Sequence, residues 1–314
     1  MRSGYTCLIV SIITRLMVVL LLCYLAFMTE YLNFKLAHNN ARLVELSAGK
    51  PMRIFYEQTE KFFSMFGDPL ETAQKNGGMT WSIRIMGVPF TDPVSAISVL
   101  AKNHRMEIGF VLGLIGPLAL ALVFGRVFCS YICSASLLFF SISRLRRLLL
   151  KWFYFPEWSL NRGFAWGVLI GGTLVCLAFG HGIWSLLLPY FAVGQTVFHG
   201  LAFGTLSVSF FSIVVFSIAD LLLGKQFTCR YLCPTGRLLG WIGRRSLVSI
   251  RREAPRCLEN CNACADICPM RIKPNQDETV DCSLCGECMI VCPTKCLSIA
   301  PIIGKRKVTA GSLK

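Results

Sequence analysis

Residues 282–292 read CSLCGECMIVC and are followed by Pro293, a C-x2-C-x2-C-x3-C-P run. Iron in a [4Fe-4S] cluster takes thiolate ligands. Two intervening residues let a turning loop aim successive sulfurs at neighbouring irons, while the fourth cysteine, before proline, reaches the other cluster of a pair. One such run therefore predicts a second, and 257–268 supplies it as CLENCNACADIC ahead of Pro269. In that second run three residues rather than two separate Cys257 from Cys261, which makes Cys257 a conditional ligand. With the loop bulged, Cys257, Cys261, Cys264 and Cys292 hold one cluster, and Cys282, Cys285, Cys288 and Cys268 hold the other. Without the bulge, the first site is a three-cysteine or labile cluster. Structural zinc is the bland alternative, and two four-cysteine runs each ending in proline fit it poorly. Cys296 is read as an unligated thiol, and Cys7, Cys23 and Cys176, in or beside apolar stretches, as small hydrophobes.

A different cysteine pattern occurs twice. GRVFCSYICSASLL and GKQFTCRYLCPTGRLL place Cys129/Cys133 and Cys229/Cys233 at an offset of 100 residues. An i,i+4 spacing puts both sulfurs of a pair on one helix face, where they can ligate a metal, form a redox disulfide or simply pack. The repetition favours a joint role, because two pseudo-symmetric hairpins can bring four sulfurs together.

The elements that must carry these residues are apolar. Hydrophobic residues make up 54% of the 314, and the mean hydropathy is +0.57. Four stretches, about 8–28, 107–125, 163–182 and 203–223, approach the roughly 20 residues that a bilayer core of about 30 Å requires. The first is too long for a signal-peptide core and lacks an A-x-A-like cleavage site, so it reads as an uncleaved anchor whose Arg15 snorkels to the interface. Segment 126–162 carries Arg126, Arg144, Arg146, Arg147, Lys151 and Arg162 against Glu157 alone, whereas 181–202 carries no charge. The positive-inside rule then puts the former, both termini and both cysteine-pair hairpin ends in the cytoplasm. The 32 Lys and Arg against 17 Asp and Glu therefore suit anionic lipid rather than nucleic acid. Of sixteen cysteines, eight have metal-ligand spacing, which implies a reducing compartment rather than a disulfide framework.

The expected fold is an α-helical membrane protein with four transmembrane helices as two pseudo-repeated hairpins, plus a small C-terminal 2[4Fe-4S] ferredoxin-like α+β domain. The anchor covers 1–28 and an extracytoplasmic loop subdomain 29–106, with helix-compatible runs at NNARLVELSA and FYEQTEKFFSMF. The membrane domain with its two C-x3-C ends covers 107–245, and the cytoplasmic ferredoxin domain 246–314. Segment 136–155 suits a helix lying along the membrane surface.

VPFTDP (88–93), GRVFCSYIC (125–133), Asp220, FTCRYLCPTG (227–236) and the two cluster runs resemble the NapH-like ferredoxin-type quinol dehydrogenase membrane subunits of periplasmic nitrate reductase systems. These are cousins of NosR, MauN and CcoG, and the resemblance covers nearly the whole chain. Departures are Ser134, where the family has the first proline, the widened run at 257–261, and a longer 29–106 loop. The resemblance implies a multi-pass protein of the bacterial inner (cytoplasmic) membrane. It would serve anaerobic respiration, oxidising a quinol such as menaquinol or ubiquinol and passing electrons toward a periplasmic reductase through a NapG-like polyferredoxin. The alternative is a maturation factor delivering electrons for metal-centre loading of a nitrous oxide reductase-, methylamine dehydrogenase- or oxidase-related metalloenzyme. A redox sensor working through the paired cysteines is the third reading.

A quinone needs an apolar slot with one or two hydrogen-bond partners, and 182–200 offers Trp184, Tyr190, Gln195 and His199. The same residues equally make an interfacial aromatic belt. Asp220 either pairs with Lys225 or relays protons. His38, His104 and His199 fall outside the apolar stretches and His181 at the very end of one, where it reads as loop, which disfavours a bis-His haem.

Overall fold

The computed structural model describes residues 2–36, 50–65, 67–79, 82–102, 108–179, 183–203, 205–258, 261–274 and 281–301. Helix α1 (Arg2–Leu36) contains a 29-residue stretch, Gly4–Leu32, of mean hydropathy 2.6. At about 1.5 Å per residue it exceeds the thickness of a bilayer core. Its outer face leaves Ile9, Ile13, Met17 and Leu20 exposed, while Ser11 and Arg15 are buried on the inner face. Arg15 does not snorkel. Its Nε donates to the Ser130 carbonyl at 2.6 Å, and the guanidinium lies over the Phe140 ring at 5.1 Å. Burial lowers the polarity that a snorkelling side chain would seek, and the carbonyl supplies the partner.

The far end of α1 carries Met28 and Tyr31 into a small core with Tyr56 of α2 (Lys50–Phe63) and Ala73 of α3 (Pro69–Lys75). Asp68 accepts the Leu70 N–H at 2.9 Å and Pro69 opens α3, a start that satisfies one backbone donor and forfeits another already orphaned. The run FYEQTEKFFSMF falls mostly in α2; NNARLVELSA lies outside the described residues. An antiparallel meander follows, with β1 (Gly77–Met79), β2 (Ser82–Ile85) and β3 (Val88–Thr91) in order. It was not expected from the sequence, because its strands are too short to show a period. Gly78, at φ +115, faces Ser82 so closely that a Cβ would lie 2.4 Å from the Ser82 oxygen.

The strand β3 is laid against α5 (Ile108–Phe124), where a Cβ on Gly113 would come within 2.5 Å of the Thr91 hydroxyl oxygen and one on Gly116 within 3.3 Å of the Phe90 ring. Part of the expected loop subdomain is thus packed among the apolar helices. From β3 the chain turns at Asp92 into α4 (Pro93–Lys102). Past α5 come α6 (Val127–Tyr131), α7 (Ser134–Leu149), α8 (Arg162–Phe179), α9 (Trp184–Leu187), α10 (Pro189–Phe203) and α11 (Val208–Leu223).

Among the described residues, α1 is the helix long and apolar enough to cross a bilayer, and Ile108–Phe124, Gly163–Phe179 and Val208–Leu223 are shorter apolar helices. The 17 residues of α5 reach only about 26 Å. Punctuation shortens α11: extended Ser207 precedes its first residue, and Gly224 ends it. Between α9 and α10, Leu188 is extended because the residue before a proline avoids the helical region. This break presses Trp184, fully buried, onto Gly172 of α8, within a core that includes Phe139, Leu188, Phe191 and Phe216. Along α7, Arg146 is also fully buried and donates to the carbonyls of Leu221 at 2.8 Å and Pro156 at 3.0 Å, capping the C-terminal end of α11.

After α12 (Pro234–Ile242) the chain forms a small unit of β4 (Val248–Arg252), α13 (Ala263–Ile267), α14 (Glu287–Val291) and β5 (Leu297–Pro301). The strands β4 and β5 pair antiparallel from Val248↔Pro301 to Arg252↔Leu297. The N-terminal end of α1 packs against this unit, where a Cβ on Gly4 would lie 3.0 Å from Ile290.

Candidate functional site

The two cysteine runs fold onto each other across the C-terminal unit. Cys257, Cys261, Cys264 and Cys292 line one cavity, and the fifth thiol in its wall is Cys296, whose Sγ lies 3.5 Å from that of Cys292. The i,i+4 spacing after Pro293 is the sequence signal that could have placed Cys296 there. The extra residue of the run at 257–268 falls within 258–260, of which 259–260 lie outside the described residues.

Cys288 is buried in one core with Cys264, and Cys257, Cys282 and Cys292 pack against that core. The loop before Cys288 turns through left-handed positions at Asp281, Leu284 and Gly286. Only glycine fits the last without strain: its φ is +81, and a Cβ would sit 2.8 Å from that of Cys7. Burial pushes the Cys285 and Cys288 thiols well above the ordinary range, so bare thiolates are disfavoured there. Bound iron would supply the missing compensation, and soft thiolates suit a [4Fe-4S] cluster, which carries single electrons. Among the described residues no group of three or more His, Cys, Asp or Glu side chains is arranged to hold a single metal ion.

The paired cysteines form a second sulfur site. Cys129, Cys133, Cys229 and Cys233 line one chamber together with Phe128, Tyr190 and Gly236. Each pair is built by the same turn: the Cys133 N–H donates to the Phe128 carbonyl at 2.9 Å, and the Cys233 N–H donates to the Thr228 carbonyl at 2.8 Å. Both are i to i−5 bonds, widening the helix by one residue. Cys133 and Cys233 then stand, extended, as the residues before α7 and α12. Asp220 sets the second turn by accepting the Thr228 N–H at 2.7 Å. It does not pair with Lys225, which lies 4.0 Å from Glu157 and donates to the Asp266 carbonyl at 2.9 Å. The reason is local: Thr228 offers a backbone donor beside the buried carboxylate, while Lys225 reaches outward to the C-terminal unit.

The sulfur chamber abuts the cluster-bearing unit. Cys229 packs against the buried group of Cys268, Met270 and Ile272. Arg126 donates to the Cys229 carbonyl at 3.0 Å and lies 3.7 Å from Asp281, just before Cys282. The Tyr131 hydroxyl, between Cys129 and Cys133, donates to the Leu284 carbonyl at 3.1 Å.

The four quinone candidates are not gathered. Trp184 is buried against α8, and Gln195 faces α1 and Gly78. His199 is half-buried farther along α10. Tyr190 alone reaches the sulfur chamber. Its hydroxyl donates to the Asp92 carboxylate and lies 3.0 Å from the Thr235 hydroxyl. Asp92 was missed as a site residue because its partner is 98 residues away.

A family model described as a 4Fe-4S binding domain matches residues 108–152 and 203–254, the two segments that hold the paired cysteines. The chain is 27% identical over 234 residues to a ferredoxin-type protein NapH of Haemophilus influenzae, covering 70% of this chain and 78% of that protein. It is 31% identical over 186 residues to an uncharacterized protein of Methanocaldococcus jannaschii, MJ0749, covering 58% of this chain and 68% of the relative. A methylamine utilization ferredoxin-type protein MauN of Paracoccus denitrificans is 28% identical over 160 residues, covering 50% of this chain and 54% of MauN. No solved structure matches the chain. An iron–sulfur electron-transfer protein, the chain belongs to the NapH-like ferredoxin-type family.

Proposed function

We propose that this chain is the quinol-oxidising membrane component of an electron-transfer chain, passing electrons from the quinone pool toward a periplasmic reductase system such as nitrate reductase. The observation that carries this reading is the placement of the four-sulfur chamber. It lies among helices with exposed apolar faces, such as Leu112 and Ile115 on α5 and Phe211 and Val215 on α11, and touches the cluster-bearing unit through Cys229. Surface of that kind needs lipid or an apolar partner to cover it.

Two [4Fe-4S] clusters held by the eight cysteines of 257–292 belong to the reading, with the chamber as a further metal or redox centre. So do a multi-pass topology in the bacterial inner membrane and cytoplasmic termini. The partner in this reading is a periplasmic NapG-like polyferredoxin or terminal reductase, and the similarity to NapH proteins supports it.

The test is reduction of the clusters by quinol in lipid-embedded protein, followed by visible absorption. Bleaching by menaquinol or ubiquinol supports the reading, and bleaching by dithionite alone sinks it. Cys129→Ser and Cys229→Ser are expected to slow the quinol-driven step at least tenfold with the iron of the cassette retained.

Relatives named for methylamine utilization favour a second reading, an assembly factor delivering electrons for metal loading of a periplasmic metalloenzyme. Metal transfer from the chain to such an enzyme, undiminished without quinol, is the result that separates the two.

A further inference from the structure

Beside the sulfur chamber is a second, larger cavity of about 130 Å³. Its walls are chiefly apolar, from Val18 and Leu22 of α1, Phe90 of β3, Pro117 of α5 and Leu239 of α12. Polar groups converge at one end. The Asp92 carboxylate takes a hydrogen bond from Tyr190, its other oxygen accepts the Ser95 N–H at 2.7 Å, and the Tyr190 hydroxyl touches Thr235. Thr91 is 1% exposed, and its hydroxyl has no hydrogen-bond partner among the described residues. Cys133 lines both this cavity and the sulfur chamber, so the two share a wall made partly of a thiol.

The polar end is made by two breaks in the chain. Asp92-Pro93 turns β3 into α4 and Leu188-Pro189 turns α9 into α10. Each proline forces extended backbone before it, and the breaks meet where Tyr190 reaches Asp92. A strand and a helix start are thereby brought among apolar helices, an arrangement suited to lining a site.

We propose that this cavity binds the single-ring headgroup of a hydroquinone, with a ring hydroxyl hydrogen-bonded at the Asp92–Tyr190–Thr235 end and the tail leaving between α1 and α5. The inference rests on the quinol-oxidising reading and gives that reading its site. Size admits no more than one ring, since a slightly larger cavity, of roughly 150 Å³, holds benzene. Polarity supports a hydroquinone over a lipid chain: an apolar slot with a few convergent hydrogen-bonding groups suits a ring carrying hydroxyls. The flank suits a tail, because the wall there is made by the partly exposed apolar side chains of Val18 and Leu22 on α1 and Pro117 on α5. Oxidation of a hydroquinone to the quinone breaks two O–H bonds and releases two electrons and two protons. The acceptor of the electrons, by class, is the iron–sulfur centres of the reading above. The protons leave in turn through the Tyr190 hydroxyl and the Asp92 carboxylate to water.

Photolabelling of the full chain in lipid nanodiscs with an azido-benzoquinone tests the site without requiring turnover. Label is expected in peptides 82–93 and 128–134, competed away by excess unlabelled benzoquinone. Tyr190→Phe, which keeps the ring, is expected to weaken that labelling roughly tenfold through one lost hydrogen bond. Val18→Trp, on the cavity flank, is expected to abolish it. Iron content and dithionite bleaching of both variants report intact folding. Label placed elsewhere, or label in these peptides indifferent to both substitutions, overturns the inference. Correct labelling in a protein whose clusters no quinol reduces sinks the quinol-oxidising reading and leaves the binding site standing. Quinol reduction undisturbed in Val18→Trp overturns the site and leaves the reading.

Discussion

The Arg126 guanidinium lies 3.7 Å from the Asp281 carboxylate, joining the turn that opens the first cysteine pair to the residue that precedes Cys282. Arg237 of α12 approaches the same carboxylate at 3.9 Å, and both side chains are largely buried, at 6% and 10% exposure. One acid therefore balances two buried cations at the junction of the helices with the cluster-bearing unit. Removing one partner from a buried pair costs more than the pair itself contributes, because the charges left behind stay desolvated.

Asp281→Ala is accordingly expected to destabilise the junction by about 3 kcal/mol. Limited proteolysis would show faster cleavage around 246–256, and thermal bleaching of the clusters would begin at a lower temperature. Unchanged proteolysis would show that the contact does not hold the junction together.

Cys257 and Cys296 share one cavity, which gives the first cluster five thiols for four corners. Cys257→Ser is expected to keep about eight irons per chain, with Cys296 taking the open corner. The double replacement of Cys257 and Cys296 is expected to fall to about four. Iron analysis with electron paramagnetic resonance of the reduced protein distinguishes these cases. A single replacement that already halves the iron would show Cys296 to be a spectator.

Gly286 combines a left-handed backbone with contact to Cys7 of α1. Gly286→Ala is expected to cost about 1–3 kcal/mol through backbone strain, with α1 displaced from the unit in addition. The readout is the temperature at which cluster absorbance is lost, and a shift under a degree would contradict the close approach.

The N-terminal end of α1 and the cluster-bearing unit share a face, since Gly4 and Cys7 approach Ile290 and Gly286. Epitope tags on the two ends are expected to respond alike to protease added outside spheroplasts, both being protected. Cleavage of either tag in intact spheroplasts would overturn the cytoplasmic assignment of the termini.

Much of this arrangement was legible because it is written in local spacing. The run at 282–292 is one continuous loop and the short helix α14, so its pattern survives folding unchanged. The repeat of Cys129/Cys133 and Cys229/Cys233 likewise pointed to one shared chamber, since both copies build the same five-residue turn. What escaped is what depends on distant partners. Asp92 is an ordinary acid before a proline until Tyr190 arrives from 98 residues away. Arg15 looked placed to snorkel until the Ser130 carbonyl appeared beside it. Trp184 and Gln195 share with Tyr190 a stretch that hydropathy treats as uniform, and the break at Leu188-Pro189 turns them to different neighbours. The hydropathy window also overran a helix start, because α11 begins only after extended Ser207, inside the stretch 203–223.

The turn common to both cysteine pairs makes each of them half of a symmetric device, yet its halves have unlike surroundings. Cys133 borders the larger cavity, whereas Cys229 borders the sheath of Cys268. A duplicated element, symmetric in its own turns, is thus told apart by the neighbour that each half's sulfur touches.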